Sequence, residues 1–217
     1  MENNKIVMLG AGSHTKVLLD CLSHYKDINI LGIFDINPEL FGKTIYGIPI
    51  IGNENHIFKN YSSGLIKLVN GIGSVNVSTL RENIFNKFKK SGYNFFNVFH
   101  PNIYLSKDSQ IGEGIQLMSG TTIQPGCTIG NNTIVNTHTT VDHDCRIGHH
   151  VHLAPGITCC GNVTIGDGTH VGCGTTILQG VKIGKRCLVS AGSVVMRDVL
   201  DGSKVAGMPA RACPVFR

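Results

Sequence analysis

Six of the ten histidines lie between residues 138 and 170: His138, His143, His149, His150, His152 and His170. One of them stands inside Val141-Asp142-His143-Asp144-Cys145, with a carboxylate on each side. A neighbouring carboxylate raises the basicity of an imidazole and holds it in one tautomer, which suits a general base working near neutral pH. The alternative is a solvent-facing histidine paired with surface acids. His152 follows nine residues later. His149 and His150 come straight after Gly148 and read as surface turn residues, while His138 and His170 are committed to no role by their neighbours. Near the start of the chain, Gly10-Ala11-Gly12-Ser13-His14-Thr15-Lys16 forms a glycine-rich turn between an apolar run and a helical pattern. Backbone N–H groups at such a helix start suit an anion, so a nucleotide diphosphate is a reasonable guest. The third glycine of a dinucleotide fingerprint would fall at residue 15, where the chain has Thr15, and NAD is therefore disfavoured. His14 in the turn and Asp35 at the end of the next apolar run are the candidate contacts; a turn that only packs helix on sheet, a loop histidine and a loop-capping aspartate are the alternatives.

Two kinds of element must position these groups. After His100 the chain repeats every six residues: Leu105, Ile111, Leu117, Ile123, Ile129, Val135, Val141, Ile147, Leu153, Cys159, Ile165, Val171, Ile177, Ile183, Val189 and Val195 are all aliphatic except the small, apolar Cys159. A period of six is neither helical nor simply alternating, so the unit is a short strand plus a turn, with the recurrent glycine after the aliphatic residue supplying backbone freedom at the corner. Three hexads close a triangular coil of about 18 residues, and stacked coils bury faces that no single repeat buries alone. Half a coil separates His143 from His152, so the two do not stack on one face of one subunit; a trimer would allow them to meet across an interface. Cys127 and Cys145 are one coil apart at the small fifth place of the hexad and read as inward packing residues.

Residues 1–100 alternate differently. Strands are expected at 5–9, 28–34, 65–70 and 95–99, with helices after residue 16 and over 79–91, which predicts a small Rossmann-like parallel sheet with ligands at its strand carboxyl ends. The second domain, 101–217, carries the repeats and a C-terminal tail. The chain has 217 residues, 19 Lys+Arg against 14 Asp+Glu, a net charge of +5 and only 15% charged residues, which excludes a disordered, highly charged chain. No Lys/Arg block points to nucleic acid, and the apolar stretch 6–9 is too short for a membrane span or signal core. Eight cysteines without a CxxC pair read as reduced thiols of a cytoplasmic protein.

Five motifs in order carry a resemblance: the glycine-rich turn through Lys16, Val141 to Cys145, Val151-His152-Leu153-Ala154-Pro155-Gly156, Gly161-Asn162-Val163, and Val205-Ala206-Gly207-Met208-Pro209-Ala210. Together they resemble the bacterial sugar O-acyltransferase and sialic-acid-synthesis-associated family, most of all the branch that N-acetylates nucleotide-linked 4-amino-4,6-dideoxy sugars. The resemblance implies a left-handed β-helix, a homotrimer with active sites at subunit interfaces, acetyl-CoA as co-substrate and no metal. It implies His143 as catalytic base with Asp144 raising its basicity, and His152 and Gly161 along the acetyl-CoA site. Gly12, Ser13, His14 and Asp35 would hold a sugar nucleotide, UDP- or dTDP-linked before GDP-linked. The product would enter a bacterial surface glycan such as an O-antigen or capsule. Other readings are O-acetylation of sialic acid or another sugar hydroxyl, a non-catalytic nucleotide-sugar-binding trimer, and a zinc enzyme. The last arises because His138 and His143 are spaced like the paired ligands of γ-class carbonic anhydrase, although the place of its third histidine holds Asn102.

Overall fold

The computed structural model describes residues 4–213, which form two compact units. One comprises the chain up to Gly73 with Leu80–Val98; the other comprises Ser74–Thr79 and the chain from Phe99 onward.

The first unit runs β1 (Asn4–Leu9), α1 (Ser13–Leu22), β2 (Ile28–Phe34), a 3-10 turn at Pro38–Leu40, β3 (Thr44–Ile45), β4 (Ile48–Gly52), α2 (Glu54–Asn60), β5 (Lys67–Asn70), α3 (Leu80–Lys90) and β6 (Asn94–Phe95). The sheet order is β3-β4-β2-β1-β5-β6, parallel throughout except for the β3–β4 hairpin. Ile6, Val7 and Met8 are wholly buried because β1 is central and covered on both faces, which is why its sequence is a continuous apolar run. α1 buries Thr15, Leu18, Leu19 and Leu22, a single helical stripe. Val7, Leu9, Phe34 and Leu68 pack on one sheet face with Ile57 of α2 and Phe85 and Phe88 of α3. The chain leaves β1 for β2 on one side and later adds β5 on the other. That reversal places the glycine-rich turn at the switch point, the edge where such sheets collect ligands. The expected strand over 95–99 is two strands: Asn94–Phe95 completes this sheet, and Val98–Phe99 lies outside it. An apolar run marks burial without saying in which sheet.

In the second unit, two-residue strands recur every six residues from Tyr104–Leu105 to Val194–Val195. They lie in three parallel ladders that the chain visits in turn, and each strand pairs with the one 18 residues on, as in Gln116↔Ile134 and His152↔His170. This is a triangular parallel β-helix, consistent with the left-handed form. Every repeat residue from Leu117 to Val195 is buried, while Leu105 and Ile111 in the first coil are only partly covered. Threonines at the fifth place also point inward and satisfy their hydroxyls on the next coil: Thr133, Thr139 and Thr169 Oγ1 donate to the carbonyls of Gly148, Ala154 and Gly184 at 2.9, 2.9 and 2.7 Å. The last coil is shorter, pairing Leu188 with Lys204.

The glycines after the aliphatic residues play a different part from the one expected. At Gly130, Gly166 and Gly172 a Cβ would come within 2.4–2.6 Å of backbone in the adjacent coil, so they are required for close stacking. The left-handed backbone at the corners falls elsewhere, for example at Gly126, Asp144 and Asn162 (φ 74°, 59° and 59°), small or Asn/Asp residues that tolerate it.

Candidate functional site

His143 sits on the corner between the strands Thr140–Val141 and Arg146–Ile147, with 48% of its side chain exposed. Its Nδ1 lies 2.8 Å from Asp144 Oδ2, and its backbone N–H donates to Asp142 Oδ1 at 2.8 Å. Asp144 adopts the left-handed corner conformation, and its own N–H is tied to the Pro125 carbonyl at 3.0 Å. The hydrogen bond to Asp144, helped by the charge of Asp142, raises the His143 pKa above its ordinary value. With Nδ1–H donating to Asp144, Nε2 is left as the basic atom. Gly161 occupies the same place one coil later, and a Cβ there would fall 2.5 Å from His143 Cε1 and Nε2. The absent side chain therefore makes the space in which the imidazole lies.

His152 and His170 stack in adjacent coils on one strand face, ring centroids 4.9 Å apart and nearly perpendicular. Both are buried, at 8% and 6% exposure, and burial lowers the His170 pKa. Ser74, from the segment Ser74–Thr79 that packs within this same unit, places Oγ 2.9 Å from His152 Nδ1 and 3.4 Å from His170 Nδ1. Together with Asn136, Pro155, Cys173 and Ser190 these residues line a cleft of about 460 Å³, within the usual range for a small-molecule site. His170 was named in the histidine cluster without a role, and Ser74 was not named at all; the signal for His170 is its place one full coil after His152.

The topology keeps His143 and His152 apart within one chain. His152 lies in the ladder of Gln116–Leu117 and Ile134–Val135, whereas His143 caps the corner between the other two ladders. In a triangular coil that corner faces away from the first ladder.

At the switch point of the first unit, Thr15 Oγ1 donates to the Gly10 carbonyl at 2.6 Å and closes the glycine-rich turn. Asp35 accepts the Ala11 N–H at 2.6 Å and the Asn37 N–H at 2.9 Å, so it caps the loop. Gly12 is the N-cap of α1, with no side-chain cap bond and no acid in the first turn, and Gly12 and Ser13 are exposed. The helix N-terminus is thus open to an anion. His14 lies beside Gly73, where a Cβ would approach its own Cβ at 3.3 Å. A second hollow of about 630 Å³, lined by Leu22, Tyr25, Ile30 and Tyr46, lies by the amino end of β2, away from the turn.

The remaining candidates are structural. His149 Nδ1 accepts the Asn131 N–H at 2.9 Å, and His150 Nδ1 lies 2.9 Å from Asn132 Nδ2, so both brace the coil below. Cys127 and Cys145 are buried, and burial pushes the Cys159 thiol up to about 12. Among the described residues no group of three or more His, Cys, Asp or Glu side chains is placed to hold a metal ion, and no helix is long and apolar enough to cross a membrane.

Comparison with known proteins covers both units. The family described as PglD N-terminal domain matches residues 5–88, and the bacterial transferase hexapeptide family, of six repeats, matches 108–143 and 162–197. No curated protein sequence matches the chain. Among solved structures, a point mutant of the perosamine N-acetyltransferase of Caulobacter crescentus, in complex with CoA and GDP-perosamine, is similar at 31% identity over 97% of both chains, with a TM-score of 0.90. The acetyltransferase domain of PglB from Neisseria gonorrhoeae, also solved with acetyl coenzyme A, is 29% identical over 97% of this chain and all of that one, with a TM-score of 0.88. WeeI from Acinetobacter baumannii is 28% identical over 96% and 99%, with a TM-score of 0.83.

Proposed function

The chain belongs to the family of bacterial sugar acetyltransferases that join a PglD N-terminal domain to hexapeptide repeats, and on that premise we propose the particular acetyl transfer it performs. It is an acyltransferase, and acetyl-CoA is its acyl donor. The acceptor is the C4 amine of a nucleotide-linked 4-amino-4,6-dideoxyhexose. The nucleotide is UDP or dTDP, with GDP kept beside them because the perosamine enzyme was solved with a GDP-linked sugar. The observation that carries this reading is the exposed His143 imidazole, held by Asp144 and given room by Gly161.

In the reaction, His143 Nε2 takes a proton from the amine as its nitrogen bonds to the thioester carbon. The C–S bond then breaks, and CoA leaves as a thiolate that recovers the proton from the histidinium. Transfer is direct, with no acyl-enzyme. Gly12 and Ser13 offer backbone N–H groups to the diphosphate, His14 lies beside them, and Asp35 shapes the turn that presents them. His152 and the cleft around it take the acyl donor. Because His143 and His152 lie on opposite sides of the coil, the complete site forms between copies, which supports a homotrimer.

The test is thiol release from acetyl-CoA against UDP-, dTDP- and GDP-linked 4-amino-4,6-dideoxy sugars, with sialic acids as hydroxyl acceptors. Turnover with one amino sugar is expected, as is its loss by about 10²- to 10⁴-fold in His143→Ala. Release with hydroxyl acceptors alone would move the activity to O-acetylation, and near-normal turnover in His143→Ala would remove it as the base.

A further inference from the structure

The cleft on the His152 face contains a hydrogen-bonded chain whose direction is fixed by its first member. Asn136 Oδ1 accepts the Thr137 backbone N–H at 2.8 Å, so the amide turns Nδ2 toward His152 Nε2, 3.4 Å away. An amide nitrogen only donates, so His152 Nε2 accepts and the ring proton lies on Nδ1. That proton is donated to Ser74 Oγ at 2.9 Å. The serine hydroxyl then has its own proton to give to His170 Nδ1 at 3.4 Å, which puts the His170 ring proton on Nε2. Burial favours the neutral imidazole at His170 and keeps it in this single-proton form. Nε2 of His170 makes no hydrogen bond to a described residue and is not sealed from solvent in the cleft that His170 lines.

We propose that Ser74 is a positioning residue for the acyl donor: by ordering the two imidazoles it makes His170 Nε2–H, rather than His152, the donor that the cleft offers to a carbonyl oxygen. Both ring nitrogens of His152 are occupied within the chain Asn136–His152–Ser74, so His152 supports its neighbour instead of presenting a proton of its own. The matching ligand group is a thioester or amide carbonyl, and acetyl-CoA supplies both kinds. This assignment rests on the reading that the cleft takes acetyl-CoA. The tautomers are observable without it.

Protein labelled with 15N-histidine, its ring signals assigned with His152→Gln and His170→Phe, reports the tautomers directly by long-range 1H–15N correlation. His152 is expected as Nδ1–H and His170 as Nε2–H. Ser74→Ala should turn the pair into a mixture of tautomers and raise the acetyl-CoA KM about tenfold, the loss of one neutral hydrogen bond, with little change in kcat or in the sugar KM. Ser74→Thr, which keeps the hydroxyl, should restore both. An unchanged melting curve for Ser74→Ala separates this from misfolding. The opposite tautomers in the wild type, or tautomers indifferent to Ser74→Ala, would overturn the ordering. Scrambled tautomers with an unmoved acetyl-CoA KM would overturn its role in donor binding. Wild-type protein that shows both expected tautomers yet transfers no acetyl group would count against the acetyl-transfer reading, and with it the donor role, while the ordered pair stood.

Discussion

Asp144 reaches His143 through one hydrogen bond on an exposed corner, and that bond is the chief cause of the imidazole's raised basicity. A base must be unprotonated to work, so kcat/KM should rise with pH along a limb centred above the ordinary histidine value of about 6.5. Asp144→Asn removes the charge that favours the imidazolium, which moves the limb to lower pH. A pH–rate profile of both proteins measures it, and an unmoved limb would discharge Asp144 from this role. Gly161→Ala sets a methyl 2.5 Å from the ring and must displace it. The expected cost is about 10- to 100-fold in kcat with little change in melting temperature, because the imidazole moves while the buried coil stays. His143 was legible because its acids are its sequence neighbours. His170 stands between Thr169 and Val171, and Ser74 lies in a stretch without periodicity, so their meeting at His152 was written in no local pattern. Asp35 was legible as a residue at the right strand end, but its bonds to Ala11 and Asn37 depend on how the loops close.

At the scale of the element, the six-residue period disclosed the coil because each aliphatic position must be buried for the stack to close, and each is buried from Leu117 to Val195. What the period left unsaid was why glycine follows those residues, since contact with the adjacent coil is invisible in a single repeat. Gly130→Ala tests the answer. Its Cβ would lie 2.6 Å from the Gly148 backbone, so about 1–3 kcal/mol of stability should be lost, read from chemical denaturation. Unchanged stability would show that the coils can part to admit a methyl. In the first unit the alternation of β1, α1 and β2 followed from apolar runs of clear period. The hairpin β3–β4 and the seven-residue α2 are too short and too mixed in polarity to announce themselves, and nothing was read between residues 36 and 64.

At the scale of the whole molecule, a site shared between copies has a signature that no single-subunit site has. Assayed with acetyl-CoA well below its KM, His143→Ala should be nearly inactive alone, and His152→Ala, which disrupts the donor cleft, should be strongly impaired. Unfolded together and refolded as a mixture, they should regain up to about a quarter of wild-type activity, because that fraction of interfaces unites an intact His143 with an intact His152. Activity that stays at the level of the separate variants would place the site within one chain. Down to the shorter last coil, the pairing of each repeat strand with its counterpart 18 residues later also limits how such a protein can change its size. An insertion that is neither a multiple of six residues nor looped out at a corner would turn the later aliphatic residues out of the core, and one of six or twelve would move every later side chain to a different face. A whole coil, by contrast, could be duplicated or excised with each remaining side chain still on its own face. Growth in this half of the chain is thus quantised, and natural variation in its length should come in steps of one coil, like floors added to a building whose staircase always opens on the same side.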